Sequence, residues 1–138
     1  MPCVVASIID GDTVHCQDVG TVRLLGMDTP ERSHRPYGVM AADALGAMLS
    51  IGDTVRVERD VRDRDQFGRH LGYIWKDTTL VNLQMVQGGW AITLRTPPNS
   101  RYDGLLDAAE REARQMKAGL WAVDGFDCEL ARQRRTTC

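Results

Sequence analysis

Four carboxylate residues lie close to turns in the first part of the chain. Asp10 and Asp12 flank a glycine, and Asp28 and Glu31 flank the pair Thr29-Pro30. Hard divalent cations bind oxygen ligands of this kind, and Ca²⁺ accepts irregular geometry and backbone carbonyls. Each motif alone also fits a plain turn, because Asp-Gly is a common hairpin signal and Asp-Thr-Pro forms Asx turns. A cation site therefore requires that the two turns converge.

Two arginines lie in or beside apolar stretches, where a charged side chain needs an ion-pair partner or a functional cavity. Arg23 lies between Val22 and Leu24, and Arg69 follows Gly68 at the start of another apolar stretch. A guanidinium group binds phosphate through two parallel hydrogen bonds. With a bound cation and a carboxylate that orients or deprotonates water, two arginines predict phosphoryl chemistry. An exposed strand position and a loop salt bridge are the plain alternatives for each arginine alone.

Hydrophobic periodicity places these residues on a mainly β framework with packed helices. Apolar or alternating runs predict strands at 4–9, 13–16, 21–27, 54–58, 70–76 and 90–94. Helical spacing predicts helices at 37–50 and 80–87 and a long helix from about 103 to 120. Five main short strands with a helix after the third favour an OB-fold barrel that carries helices. Pattern alone leaves an α+β sandwich open.

The chain length and charge bound the class of protein. The 138 residues fit one domain, which we place at 1–125, with a C-terminal tail at 126–138 where the pattern fades. The net charge of −2 speaks against a protein that coats nucleic acid through bulk positive charge. No apolar run is long enough to cross a membrane, and the N-terminus lacks a signal-peptide pattern. We therefore expect a cytoplasmic monomer.

The cysteines predict free thiols. There are four, at Cys3, Cys16, Cys128 and Cys138. A hairpin centred on Gly11 places Cys16 opposite Ala6, three residues from Cys3, which is roughly 10 Å of strand and beyond the reach of a disulfide. A bond between the two cysteines of the tail stays open, and reduced thiols are the simplest interpretation.

Several blocks of the sequence resemble the staphylococcal nuclease (thermonuclease) family. They occur in the same order as in the family and cover about residues 4 to 121. Each block alone is weak evidence for the family, but the set together is specific. The blocks are Ile9-Asp10-Gly11-Asp12-Thr13-Val14, Val22-Arg23-Leu24-Leu25-Gly26-Met27-Asp28-Thr29-Pro30-Glu31, Tyr37-Gly38, Asp65-Gln66-Phe67-Gly68-Arg69, Leu71-Gly72-Tyr73, Val81-Asn82, Ala109-Glu110 and Gly119-Leu120-Trp121.

The resemblance implies a fold and a metal site. The fold is a five-stranded OB-fold barrel with three α-helices. The implied activity is Ca²⁺-dependent hydrolysis of DNA and RNA, with one ion per site and products that end in 3′-phosphate. Asp12 and Asp28 match the side-chain metal ligands, and Thr29 matches a ligand that binds through its backbone carbonyl. Asp10 matches a carboxylate that lies behind these ligands and does not itself bind the metal. Another divalent ion stays open as the cofactor.

The resemblance also implies the catalytic groups. Glu31 matches the glutamate that holds the attacking water, and Arg23 and Arg69 match the two phosphate-binding arginines. The rival hypothesis is a non-catalytic OB-fold module that binds single-stranded nucleic acid. Such modules typically lose the carboxylates and arginines that this chain keeps, so the sequence favours an enzyme whose substrate is DNA or RNA.

The chain departs from the family pattern where the nucleotide binds. Thr93 and Arg95 stand where the founding enzyme has two tyrosines that pack against the nucleotide, and Phe67 replaces another tyrosine. The loop after Glu31 is short, and its Arg32 and Arg35 could replace the lysines of a longer family loop. We therefore name Arg32, Arg35, Phe67 and Arg95 as candidate substrate-binding residues, and we expect weaker binding or an altered preference for single strands.

Overall fold

The computed structural model describes residues 1–126 of the chain. The expectations for residues 127–138, including Cys128 and Cys138, lie outside the described residues. The strands are β1 (Pro2–Asp10), β2 (Thr13–Cys16), β3 (Gly20–Leu24), β4 (Met27–Asp28), β5 (Thr54–Glu58), β6 (His70–Lys76), β7 (Thr79–Leu80) and β8 (Ile92–Thr93). The helices are α1 (Tyr37–Met48), α2 (Val81–Gln87) and α3 (Asp103–Met116), followed by a 3₁₀ helix at Gly119–Val123.

Five strands close into a barrel. Strands β3, β2, β1, β5 and β6 pair in that order, and a parallel pairing of β3 with β6 joins the two ends. The short strand β7 extends β6, and β4 pairs with β8 in a separate two-stranded sheet. The predicted five-stranded OB-fold barrel with three α-helices is confirmed, and the α+β sandwich is excluded.

Alternating side chains of the barrel strands form the core. The inward residues of the first hairpin and of β3 are almost fully buried, at Cys3, Val5, Val14, Cys16, Val22 and Leu24. The helices cover this core with Leu45 of α1, Met85 of α2 and Leu106 of α3. Within residues 1–126, no helix combines the length and apolar character that a membrane span requires.

A buried asparagine fixes the chain where β3 leaves the barrel. The Asn82 side chain donates to the Leu25 carbonyl at 2.8 Å and accepts from the Ile74 amide at 2.9 Å. Gly26 then turns the chain with a φ of +78°, a conformation that glycine adopts without strain. The Gly26 carbonyl accepts from the Leu94 amide at 3.0 Å, so β4 and β8 are held together at the end of the barrel.

The expectation of reduced thiols is wrong for Cys3 and Cys16. They form a disulfide, with their Cα atoms 5.3 Å apart. Two register shifts in β1 place Cys16 opposite Val5 instead of Ala6. Bulges also bend a strand and increase its twist, which brings the two cysteines within the usual disulfide distance. The bond lies across the hairpin that carries Asp10 and Asp12.

Candidate active site

The charged residues singled out in the sequence meet in one cavity at the end of the barrel. We call this cavity the acidic pocket, and its volume is about 280 Å³. It is lined by Asp10, Asp12, Thr13, Arg23, Asp28, Thr29, Glu31, Arg69 and Leu94. The hairpin between β1 and β2, strand β4 and its following turn, and the start of β6 each contribute part of it. The two carboxylate turns therefore do converge.

Arg23 is the centre of the acidic pocket. It lies on the face of β3 opposite Val22 and Leu24, because successive side chains of a strand alternate. Its Nη1 atom donates to the Leu24 carbonyl at 2.7 Å and to the Met27 carbonyl at 2.9 Å. Its Nη2 atom lies 3.1 Å from an Asp28 oxygen and 3.3 Å from an Asp12 oxygen. One guanidinium group thus bridges both carboxylates.

The two carboxylates are almost removed from water. Asp12 and Asp28 are each 7% exposed. Burial raises the pKa of Asp28 to about 7; the Arg23 charge opposes this rise, and the neighbouring Asp12 charge adds to it. Asp12 accepts from the Thr13 hydroxyl at 2.8 Å and from the Thr29 amide at 3.2 Å. Two adjacent buried carboxylates call for more positive charge than a single arginine brings.

Glu31 lines the same pocket from its exposed side. It follows Pro30, just beyond strand β4. Asp10 stands next to this segment and accepts a hydrogen bond from the Arg32 amide at 2.9 Å. The pocket therefore combines two buried carboxylates with one carboxylate that water can reach.

Arg69 is held at the pocket edge by the segment that precedes β6. Its Nε atom donates to an Asp65 oxygen at 2.7 Å, and its backbone amide donates to the other Asp65 oxygen at 2.9 Å. Burial acts to raise the pKa of Asp65, but the hydrogen bonds and charge of Arg69 outweigh it and leave that pKa lowered. The Arg69 guanidinium also lies 5.6 Å from the centre of the Phe67 ring.

A second cavity adjoins the first. We call it the apolar pocket; its volume is about 320 Å³, and it shares Arg23, Arg69 and Leu94 with the acidic pocket. Its other lining residues are Leu24, Leu25, Met27, Arg62, Asp65, Gln66, Phe67, Leu71 and Thr96. Phe67 is 73% exposed, so its ring is open to contact with a ligand.

Comparison with known proteins decides the family. A family model described as "Staphylococcal nuclease homologue" matches residues 21–123, which include Arg23, Asp28, Glu31 and Arg69. The chain belongs to the staphylococcal nuclease family.

Its relatives carry nuclease names. It is 34% identical over 125 residues to the thermonuclease of Staphylococcus intermedius, covering 85% of this chain and 74% of that protein. It is 31% identical over 135 residues to endonuclease YhcR of Bacillus subtilis, of which it covers 11%. It is 34% identical over 122 residues to an uncharacterized endonuclease of Escherichia coli O157:H7, of which it covers 75%. Membership in the nuclease family supports a hydrolase that acts on nucleic acid.

Three of the candidate substrate-binding residues of this staphylococcal nuclease homologue lie outside both pockets. The Arg32 guanidinium donates to the carbonyls of Ile8 and Ile9. Arg35 is exposed beside the start of α1. Arg95 forms ion pairs with two carboxylates of α3, Asp103 and Asp107. Phe67 is the member of the set that the structure places in a pocket.

Sequence reasoning missed some residues of the nuclease site. Asp65 is not among the candidate site residues predicted from the sequence, yet it holds Arg69 in place. The spacing in the sequence could have indicated this ion pair, because Asp65 and Arg69 are four residues apart with a glycine between them. In the structure Gly68 makes the turn with a φ of +80°. Leu94, which lines both pockets, gave no chemical signal because an aliphatic side chain in a short strand predicts only packing.

The oxygen-rich side of the pocket fits a hard cation. Asp12, Asp28 and Thr29 line this side, and carboxylate and backbone carbonyl oxygens are ligands of the type that Ca²⁺ binds. The buried Thr29 hydroxyl has no hydrogen-bond partner within residues 1–126, so this wall of the pocket contains a polar atom that a ligand or water could pair. Nowhere in that range do three or more His, Cys, Asp or Glu side chains form a metal-binding group, so a cation here would rely on backbone oxygen and water as well.

Proposed function

We propose that the chain is a Ca²⁺-dependent nuclease that hydrolyses phosphodiester bonds of DNA and RNA and leaves 3′-phosphate ends. The observation that carries the proposal is the acidic pocket, in which Glu31 lies with Asp12, Asp28, Arg23 and Arg69. Family membership and the nuclease names of relatives support the reaction class.

The residues that would hold the cation are Asp12, Asp28 and the Thr29 carbonyl, with Asp10 behind them. When bound, a divalent cation polarises the phosphate and lowers the pKa of bound water. The proposal is supported by the raised pKa of Asp28 and by the buried Thr29 hydroxyl, which has no hydrogen-bond partner within residues 1–126. Mg²⁺ is a weaker candidate because it demands near-ideal octahedral geometry.

Glu31 handles the proton of the attacking water. Its carboxylate is exposed within the pocket, so water reaches it and it can accept a proton in the transition state. The water oxygen bonds to phosphorus, the bond from phosphorus to the 5′ oxygen breaks, and the proton of the water passes to Glu31. The 5′ oxygen leaves as a hydroxyl after it takes a proton from solvent. The phosphate then remains on the 3′ oxygen.

Arg23 and Arg69 stabilise the charge that develops on the phosphoryl oxygens. Arg23 lines the pocket from β3 and Arg69 lines it from the segment just before β6, so they can approach the phosphate from two sides. Asp65 fixes the Nε side of Arg69 at 2.7 Å, which leaves the two terminal nitrogens for the phosphate. Groups held in place before the reaction contribute most to electrostatic catalysis.

The apolar pocket suits the nucleoside next to the scissile phosphate. It shares both arginines with the acidic pocket, and its floor is built from Leu25, Leu71 and Leu94. Phe67 offers an exposed ring on which a base can stack. In this proposal the surface takes the place of the family tyrosines, since Arg95 is paired with two carboxylates of α3.

The decisive experiment is cleavage of labelled single-stranded DNA and RNA with Ca²⁺, comparing the wild type with Glu31→Gln. We expect the variant to lose about 100-fold to 10,000-fold in rate, the usual range for a general base. Glu112→Gln is the matched control, since Glu112 is exposed on α3 away from both pockets. Undiminished cleavage by Glu31→Gln would refute the mechanism.

Metal removal and product analysis test the finer parts of the proposal. EDTA should abolish cleavage, Ca²⁺ should restore it better than Mg²⁺, and mass spectrometry should find 3′-phosphate on the fragments. A protein that binds single-stranded DNA with and without EDTA but never cuts it would be a binding module instead.

A further inference from the structure

Arg32 makes three hydrogen bonds directly beside the proposed catalytic carboxylate. Its Nε atom donates to the Ile9 carbonyl at 2.9 Å, and its Nη2 atom donates to the Ile8 carbonyl at 3.1 Å. Its backbone amide donates to Asp10 at 2.9 Å. The residue that follows Glu31 is therefore tied to the end of β1 through both its side chain and its backbone.

The end of β1 is able to receive these bonds because its pairing is irregular. Ile8 pairs with Val14 and Asp10 pairs with Thr13, which leaves Ile9 as the extra residue of a bulge. An extra residue in a bulge has no partner across the ladder. Arg32 supplies a donor to that exposed carbonyl, so the bulge and the arginine complement each other.

A second contact holds Glu31 from the opposite side. The Glu31 carbonyl accepts from the His34 amide at 2.8 Å, and the Gly38 amide donates to the His34 carbonyl at 2.8 Å. Gly38 packs so closely that a Cβ atom added there would lie 1.7 Å from the Glu31 carbonyl oxygen. The segment between β4 and α1 is thus a closed turn with Glu31 at its start.

We propose that Arg32 is a positioning residue that fixes Glu31 in the acidic pocket and that it does not bind the phosphate. The inference deepens the proposed function and rests on it. The side of the guanidinium that carries Nε and Nη2 is occupied by two backbone carbonyls, Arg32 lines neither pocket, and its bonds brace the backbone next to Glu31. Misplacing a reactive group by about 1 Å can cost on the order of 100-fold in rate.

Steady-state kinetics separate positioning from substrate binding. We expect Arg32→Ala to lower kcat by about 10-fold to 100-fold with little change in KM. Arg32→Lys should recover part of the loss, because one donor can still reach the carbonyls. The control is Arg111→Ala, an exposed arginine of α3. A raised KM with an unchanged kcat would overturn the proposal, since that result marks a substrate contact.

A double-mutant cycle tests whether Arg32 acts through Glu31. In the Glu31→Gln background, Arg32→Ala should add no further loss of kcat, because residues that act as a unit are not additive. The two Glu31→Gln proteins should also bind a fluorescent single-stranded DNA with the same Kd. Full additivity, or weaker DNA binding in the double variant, would contradict the proposal.

Amide hydrogen exchange gives a readout that does not need activity. Arg32→Ala should speed exchange at residues 31–36 while the barrel strands keep their protection. Unchanged exchange in that segment would overturn the proposal even in an active enzyme. If the wild type proved inactive with every divalent ion, the proposed function would fail, and the exchange result would still decide whether Arg32 fixes the segment.

Discussion

The two adjoining pockets are built in opposite ways. In the acidic pocket the polar groups bond to one another: Arg23 bridges Asp12 and Asp28, and all three are nearly buried. In the apolar pocket the rim is exposed, and Phe67 presents 73% of its surface to water. The charged groups of the first pocket are held by one another before any ligand arrives, whereas the second pocket leaves an aromatic ring open to solvent.

Under the proposed function, this difference separates chemistry from recognition. Electrostatic catalysis depends on groups that do not reorganise during the reaction, and the bridged acidic pocket meets that condition. Stacking on an exposed ring tolerates many bases because every base has an aromatic face. Of the departures from the family pattern, Phe67 lines the apolar pocket, and none falls on the bridged residues Arg23, Asp12 and Asp28. Changes in the two pockets should therefore alter different kinetic constants.

Among the changes that compare the two pockets, Asp28→Asn should have the largest effect. The substitution keeps the shape but removes a charge that Arg23 contacts and that a cation would bind, so we expect kcat to fall by about 1,000-fold. KM should change by less than about threefold, because the apolar pocket is untouched. Steady-state kinetics measure both, with Asp43→Asn on the exposed face of α1 as the control. A proportional rise in KM would mean that the two pockets are not separate.

The disulfide supports the acidic pocket through stability. Its two cysteines are 13 residues apart and enclose Asp10 and Asp12. Closing a loop of this length stabilises a protein by about 3 kcal/mol. We expect Cys3→Ala/Cys16→Ala to lower the free energy of unfolding by about that amount in urea titrations, with kcat nearly unchanged under native conditions.

Reductant provides the control for the disulfide variant. Dithiothreitol in urea should bring the wild type toward the stability of the double variant and leave the variant itself unchanged. Equal stability of both proteins without reductant would show that the bond contributes nothing. Disulfides persist mainly in oxidising compartments, so the bond does not favour the expected cytoplasmic location, which stays a prediction.

A smaller effect is expected from Phe67→Ala. Loss of one stacked base costs about 1–3 kcal/mol, so we expect KM for single-stranded DNA to rise by roughly 10-fold with kcat changed little. Phe67→Tyr keeps the ring and should keep KM. If kcat fell instead, Phe67 would be acting through Arg69, whose guanidinium lies 5.6 Å from the ring.

The features that depend on neighbouring residues in the chain could be predicted from the sequence. Alternation placed Arg23 on the opposite face of β3 from its apolar neighbours, and turn chemistry marked the two carboxylate motifs. Prediction failed where distant segments decide the geometry. The β1 bulges, which no residue type announces, brought Cys3 to Cys16 and exposed the carbonyls that Arg32 binds. The pairing of Arg95 with Asp103 and Asp107 likewise depends on how α3 packs beside the strand before it.

Two carboxylates anchor the segment that carries the rim of the apolar pocket. Glu58 accepts from the Tyr102 hydroxyl at 2.7 Å and the Trp75 indole at 2.8 Å. Asp60 accepts from the Tyr73 hydroxyl at 2.8 Å and a backbone amide at 3.0 Å. Burial acts to raise the pKa of both residues, but these donors outweigh it, and both pKa values are lowered.

The smallest predicted effect is therefore a loss of stability in acid. A carboxylate with a lowered pKa in the folded state stabilises the protein above its ordinary pKa, and that stabilisation is lost as the pH falls through the folded value. Below pH 4.5, the ordinary pKa of glutamate, Tm should decline, and Glu58→Gln should reduce the decline by about 3 °C. Thermal melts from pH 7 to pH 3 measure this, with Glu112→Gln as the control. A Glu58→Gln protein whose Tm falls as steeply as the wild type would show that Glu58 does not anchor this segment through its charge.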